Sequence, residues 1–124
     1  MEDRYLFKAK HFKEWHIGNI VKEPDGLYIR DINKDVMAFI DDPSTICQCT
    51  GLKDKNGKLI WENNIVVCHD FTEEKYVIAW KQDEACFEYQ QYGCSIMNFE
   101  QLSGCEVEVI GNTFDNPELL ESEE

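Results

Sequence analysis

The sequence predicts a mainly β fold arranged as a small barrel or sandwich, and three observations lead there. Short apolar or alternating segments recur along the chain, turn residues separate them, and helical periodicity is scarce. In order, the segments are RYLFKAK, WHIGNIV, GLYIRDI, VMAFI, STICQCT, NNIVVC, EKYVIAW, ACFEYQ, CSIMNF and CEVEVIGN. Their lengths suit strands and are too short for most helices. In EKYVIAW, period two puts Tyr76, Ile78 and Trp80 on one face and Val77 and Ala79 on the other, as in a strand with at least one buried side.

The punctuation is equally regular. Pro24 to Gly26, Asp41 to Ser44, Lys55 to Lys58, and Tyr92 with Gly93 all carry residues suited to turn backbone angles. In KDKNGKLIW, Asn56 and Gly57 tolerate the positive φ values of a type I′ hairpin turn, with lysines keeping the tip in water. The same stretch cannot be a calcium loop, which needs glycine at the sixth place and glutamate at the twelfth; counted from Asp54, glycine comes fourth and Ile65 twelfth. The one helical candidate is DNPELLESEE near the C-terminus, with Asn116 as cap, Pro117 in the first helical position and Glu118 at the positive end of the dipole. It is one or two turns long, and Leu119 and Leu120 form either a small plug or a grip for a partner.

A chain of 124 residues holds one domain, or one domain with a small annex. The reading places an N-terminal β annex at residues 1–46 and a barrel at 47–124 that ends in an acidic tail. With 43% apolar and 12% aromatic residues, the chain can build a packed interior without disulfide support. Six cysteines would fit a stapled secreted fold, but the N-terminus has acids where a signal peptide needs a basic region, so a reduced, cytosolic protein is expected. No apolar run approaches the roughly 18 residues of a spanning helix, so no membrane partner is expected.

Twelve basic residues against twenty-five acidic ones give a net charge of −13, which disfavours direct nucleic-acid binding. The acidity is densest at the end, where residues 113–124 carry five acids and no base. A solvated tail explains that.

No local constellation carries chemistry. Cys47 and Cys49 share a strand face and could be joined by Cys68 or His69 around a metal, but the set lacks the paired C-x-x-C spacing of zinc sites, and packing thiols are the plainer reading. Cys68 and His69 are adjacent and therefore point to opposite faces of a strand, while His11 and His16 lie in the annex. Glu73 with Glu74, and Asp83 with Glu84, sit at strand ends and read as turn charge. No phosphate loop is present, and no catalytic residue, metal or cofactor is expected. The aromatic residues Trp61, Trp80, Phe87, Tyr89, Tyr92 and Phe99 exceed what a small barrel can bury, which makes them the candidate interaction surface.

Two long motifs, TGLKDKNGKLIWENNIV (Thr50 to Val66) and VEVIGNTFDNPELL (Val107 to Leu120), resemble those of the YopX family of small bacteriophage and prophage proteins, and WHIGNIV is similar to that family's N-terminal W-x-x-G element. The likeness spans nearly the whole chain. Glu62-Asn63-Asn64 stands where the family usually has Glu-Gly-Asp, and Gln48-Cys49 where Gln-Tyr is usual. Losing that glycine is expected to alter the bend leading into Ile65. The resemblance implies an SH3-like small barrel and carries no established biochemical activity. The expected function is a non-enzymatic prophage accessory protein that binds a protein partner or self-associates as a homo-oligomer. The alternatives are an acidic nucleic-acid mimic and a small enzyme whose Cys, His or carboxylate groups come from distant segments.

Overall fold

The computed structural model describes residues 5–68, 75–82, 86–91, 94–98 and 107–120. They are mainly β, in antiparallel sheets, and fall into two compact units that divide between Gly51 and Leu52. The division falls inside a strand and after residue 46 because the strand carrying Cys47 and Gln48 is hydrogen-bonded into the first unit's sheet.

In the first unit, β1 (Phe7–His11), β2 (Glu14–Glu23), β3 (Gly26–Asp31) and β4 (Val36–Phe39) form a meander. A 3₁₀ turn at Pro43–Thr45 follows, and β5 (Cys47–Lys53) then returns to pair with β1, giving the order β4-β3-β2-β1-β5 in a six-stranded sheet whose last member is β6 (Leu59–Trp61). Asp42 starts that turn by accepting the Ser44 N–H (3.0 Å) and hydroxyl (2.7 Å), and these two bonds hold its carboxyl below the usual range. Registers Ala9↔His16, Ile20↔Ile29 and Ile29↔Ala38 align one face, so Ala9, Ile29, Ala38 and Ile40 form the core, with Ile20, Leu27 and Ile46 packed on it. Gly18 admits no side chain, because a Cβ there would lie 1.8 Å from the Arg30 carbonyl oxygen.

The second unit repeats this connectivity. After the short β6 (Leu59–Trp61), β7 (Asn64–Cys68), β8 (Lys75–Lys81), β9 (Cys86–Gln91) and β10 (Cys94–Asn98) form a meander, and β11 (Val107–Asn112) returns to pair with β7. The order is β10-β9-β8-β7-β11. Its core is Ile60, Val66, Tyr76, Ile78, Tyr89 and Val107, with Phe87 and Val109 against them. Neither sheet closes on itself through strand pairing among the described residues. The C-terminal turn forms as a 3₁₀ turn at Pro117–Leu120.

Candidate functional site

The six aromatic residues expected on the surface do not stay together. Trp61 is only 6% exposed and Tyr89 4%, so both belong to the interior. Tyr89 lies opposite Ile78 on the core face, its ring edge against Tyr76 at 6.2 Å between centroids, and burial pushes its hydroxyl up to about 12. Trp61 ends β6, where its N–H donates to Asn64 Oδ1 (2.7 Å). Aromatic side chains supply this unit's core volume, which is why counting them as surplus overestimates the exposed set. Trp80 and Phe87 are cross-strand partners with ring centroids 5.1 Å apart; Trp80 is 39% exposed and Phe87 half-buried. Tyr92 and Phe99 lie outside the described residues.

The turn at Asn56 and Gly57 forms with a different geometry from the one expected. Gly57 has φ +83°, but Asn56 is not among the residues of positive φ, which rules out type I′. The Gly57 N–H donates to the Asp54 carbonyl (3.0 Å) and the Asp54 N–H to the Lys58 carbonyl (2.8 Å), so a four-residue turn is followed by a single left-handed glycine. Asp54 selects this geometry. Its buried carboxylate accepts the N–H groups of Asn56 and Lys58 on Oδ1 (both 2.9 Å) and that of Val109 on Oδ2 (2.9 Å), binding the turn to β11. Burial alone would push this carboxyl up, but the three backbone donors and the nearby Lys58 charge hold it low.

Asp31 does the same work in the first unit. Its Oδ1 accepts the N–H groups of Asn33 (2.8 Å) and Lys34 (3.0 Å), closing the β3–β4 turn, while Oδ2 faces His16 Nδ1 on β2 at 2.8 Å. His16 Nε2 meets Glu14 at 3.1 Å, and Glu14 also meets Lys34 at 3.4 Å. Burial pushes Asp31 up, but its bonds to His16, Asn33 and Lys34 and the His16 charge bring it below the usual range. With both ring nitrogens engaged and 4% of the residue exposed, His16 braces the sheet. This pairing was missed in the sequence because the two residues are fifteen apart and meet only through the β2–β3 hairpin.

Cys47, Cys49 and Cys86 are thiols and not disulfides, the first two buried. Among the described residues, no three His, Cys, Asp or Glu side chains gather closely enough to hold a metal. Two carboxylate pairs considered as acid and base, Glu73 with Glu74 and Asp83 with Glu84, lie outside the described residues, as do His69 and the Cys68 side chain. No described helix is long and apolar enough to cross a membrane.

Exposed apolar side chains gather instead in the first unit. Tyr5, Phe12, Ile32, Val36, Met37 and Phe39 are there, against Leu52, Trp80 and Leu120 in the second, among the described residues. Phe12 stands at the β1–β2 hairpin tip, 70% exposed, with φ +56°, a conformation unfavourable for a bulky side chain. The Asp41 carboxylate accepts its N–H (2.6 Å), its ring contacts His11 (4.5 Å between centroids), and His11 Nδ1–H donates to the Phe39 carbonyl (2.8 Å). The strained tip is thereby tied to the end of β4. Its sequence signal was slight: an apolar residue between His11 and Lys13, and VMAFI with apolar side chains on both faces.

The sequence matches the family described as YopX protein over residues 6–121. The chain belongs to the YopX family. The crystal structure of the YopX protein from Bacillus subtilis has the same fold, with a TM-score of 0.56 and 18% identity over 98% of this chain and 99% of that one. No curated protein matches the sequence.

The YopX motifs now have physical roles. The first supplies Asp54 and its turn; the second supplies β11 and a knot in which Asn112 Oδ1 accepts the N–H groups of Phe114 and Asp115 (both 2.9 Å). Asn116 does not cap the following turn with its side chain, as expected; its Oδ1 instead accepts the Asn112 N–H (3.2 Å), and Gly111 leaves room for it, since a Cβ there would lie 2.6 Å from that oxygen. At the departure Asn63 has φ +70°, a left-handed conformation that asparagine tolerates and glycine adopts freely, and the neighbouring Asn64 accepts the Trp61 backbone N–H.

Proposed function

We propose that this YopX-family protein is a non-enzymatic prophage accessory module that acts in the cytosol by contacting other proteins, with an SH3-like small barrel in its second unit and the first unit as its β annex. The observation that carries the reading is the gathering of exposed apolar side chains on one unit, at a strained hairpin tip and the adjoining strand β4. Exposed apolar clusters of this kind mark interaction surfaces more often than they mark solvent-facing decoration. The non-enzymatic part draws support from His16, whose nitrogens are both committed to carboxylates in a buried position. Trp80 and Phe87 remain a secondary contact point within this proposal.

The test compares proteins retained from a phage-bearing host lysate by the wild type, by Phe12→Ser and by Trp80→Ser. A specific protein held by the wild type and by Trp80→Ser, but lost with Phe12→Ser, supports the first unit as the contact surface. Retention that survives Phe12→Ser and fails with Trp80→Ser moves the surface to the second unit. A turnover assay that found activity dependent on His16 would remove the non-enzymatic reading.

A further inference from the structure

We infer that the outer edge of β4 is a self-pairing strand, which joins two copies of this chain antiparallel across a two-fold axis. The inference rests on the protein-contact reading and names the partner. The Ile40 N–H donates to the Leu27 carbonyl (2.9 Å), so Leu27 and Ile40 are a hydrogen-bonded pair, and alternation along the register makes Ile29↔Ala38 and Asp31↔Val36 hydrogen-bonded as well. Met37 and Phe39 therefore direct their backbone N–H and C=O groups away from β3, along an edge of the sheet that no described strand covers. The strand reads Val-Met-Ala-Phe, with none of the lysine, proline or charge that ordinarily protects an exposed edge, and Val36, Met37 and Phe39 are all exposed.

The His11 bond to the Phe39 carbonyl selects the register. Because that oxygen is already taken, the groups left for a neighbour are the Met37 N–H and C=O and the Phe39 N–H. Antiparallel pairing centred on Met37 uses all three: Met37 of each copy exchanges two bonds with Met37 of the other, and each Phe39 N–H reaches the Asp35 carbonyl of the second copy, whose own N–H is occupied by Asp31. The bonding pattern favours a second copy over an arbitrary strand. Asp35 and Phe39 fall opposite each other across the axis, so the two groups already occupied, the Asp35 N–H and the Phe39 C=O, face one another and leave no bonding group of either copy in conflict. A two-fold axis thus meets in this edge the self-complementarity that an isologous interface requires.

Light scattering on the full chain tests this with two variants of opposite charge at the axis. Wild type is expected at twice 14.5 kDa at high concentration. Met37→Lys and Met37→Glu, each checked for native circular dichroism, are expected at 14.5 kDa alone, because like charges would meet at the axis. Mixed in equal amounts, the two are expected to recover the doubled mass. A wild type that stays at 14.5 kDa at every concentration overturns the pairing, as does a dimer that persists in both folded variants or a mixture that fails to associate. If the wild type is a monomer yet still captures a partner through Phe12, the pairing fails while the protein-contact reading stands.

Discussion

The two units share a connectivity and a device, and differ in how the device is built and in what surrounds it. Each sets an aspartate at a tight turn, where Oδ1 gathers backbone N–H groups and Oδ2 reaches another strand. In the second unit the far partner is the Val109 amide, which does not titrate; in the first it is the His16 ring, itself braced by Glu14. The aromatic bulk of the second unit goes inward, as Trp61, Tyr76 and Tyr89. The first unit has a smaller aliphatic core and leaves its apolar surplus on β4 and the hairpin tip. A similar meander thus yields one unit with its aromatic bulk inside and another with apolar side chains left exposed.

The largest effect is expected at Asp54. Asp54→Ala strips three backbone donors of their acceptor, at least one of them in a different strand, and is expected to cost about 3 kcal/mol or more in urea unfolding. Asp31→Ala is expected to cost about 2–3 kcal/mol. A double-mutant cycle with His16→Ala is expected to show coupling of about 1–2 kcal/mol, because the two side chains are in direct contact. Additive losses would mean that His16 and Asp31 act separately and would erase the difference between the two devices.

Acid titration sharpens the same contrast. Both carboxyls lie below their ordinary value in the folded protein, so their contribution is complete above the unfolded carboxylate value and is lost as pH falls through the lower folded values. The loss is therefore expected below about pH 4. His16→Ala is expected to shrink the acid-side loss tied to Asp31 by removing one of the bonds that depress it, and to leave the part tied to Asp54 unchanged. Amide signals followed separately in the two units would read each loss.

A smaller effect is expected at Gly57, where a substituted Cβ would meet nothing within 4 Å and only the left-handed backbone is penalised. Gly57→Val is expected to cost about 1–2 kcal/mol, and Lys58→Ala to stay within about 0.5 kcal/mol. If Gly57→Val melts like wild type, the glycine is not what shapes the turn.

The sequence conveyed the strands well because period-two alternation and turn residues are local signals, and the two long motifs conveyed the family. It conveyed the site poorly for a physical reason. Whether an aromatic residue is inside depends on which strand lies opposite it, so Trp61 and Tyr89 could not be told from Trp80 by composition. The turn type depended on Asp54, whose partner Val109 lies fifty-five residues away. The exposed edge of β4 depended on being last in the sheet, a property of strand order that VMAFI does not announce.

Amide hydrogen exchange at Met37 and Phe39, measured across a dilution series, tests most directly whether the first unit is the contact surface. Edge pairing predicts that both amides exchange slowly in concentrated protein and quickly when dilute, while those of Val66 and Ile78 in the second unit's core keep one rate throughout. Rates at Met37 and Phe39 that do not change with concentration, or a concentration effect confined to the second unit, would contradict it.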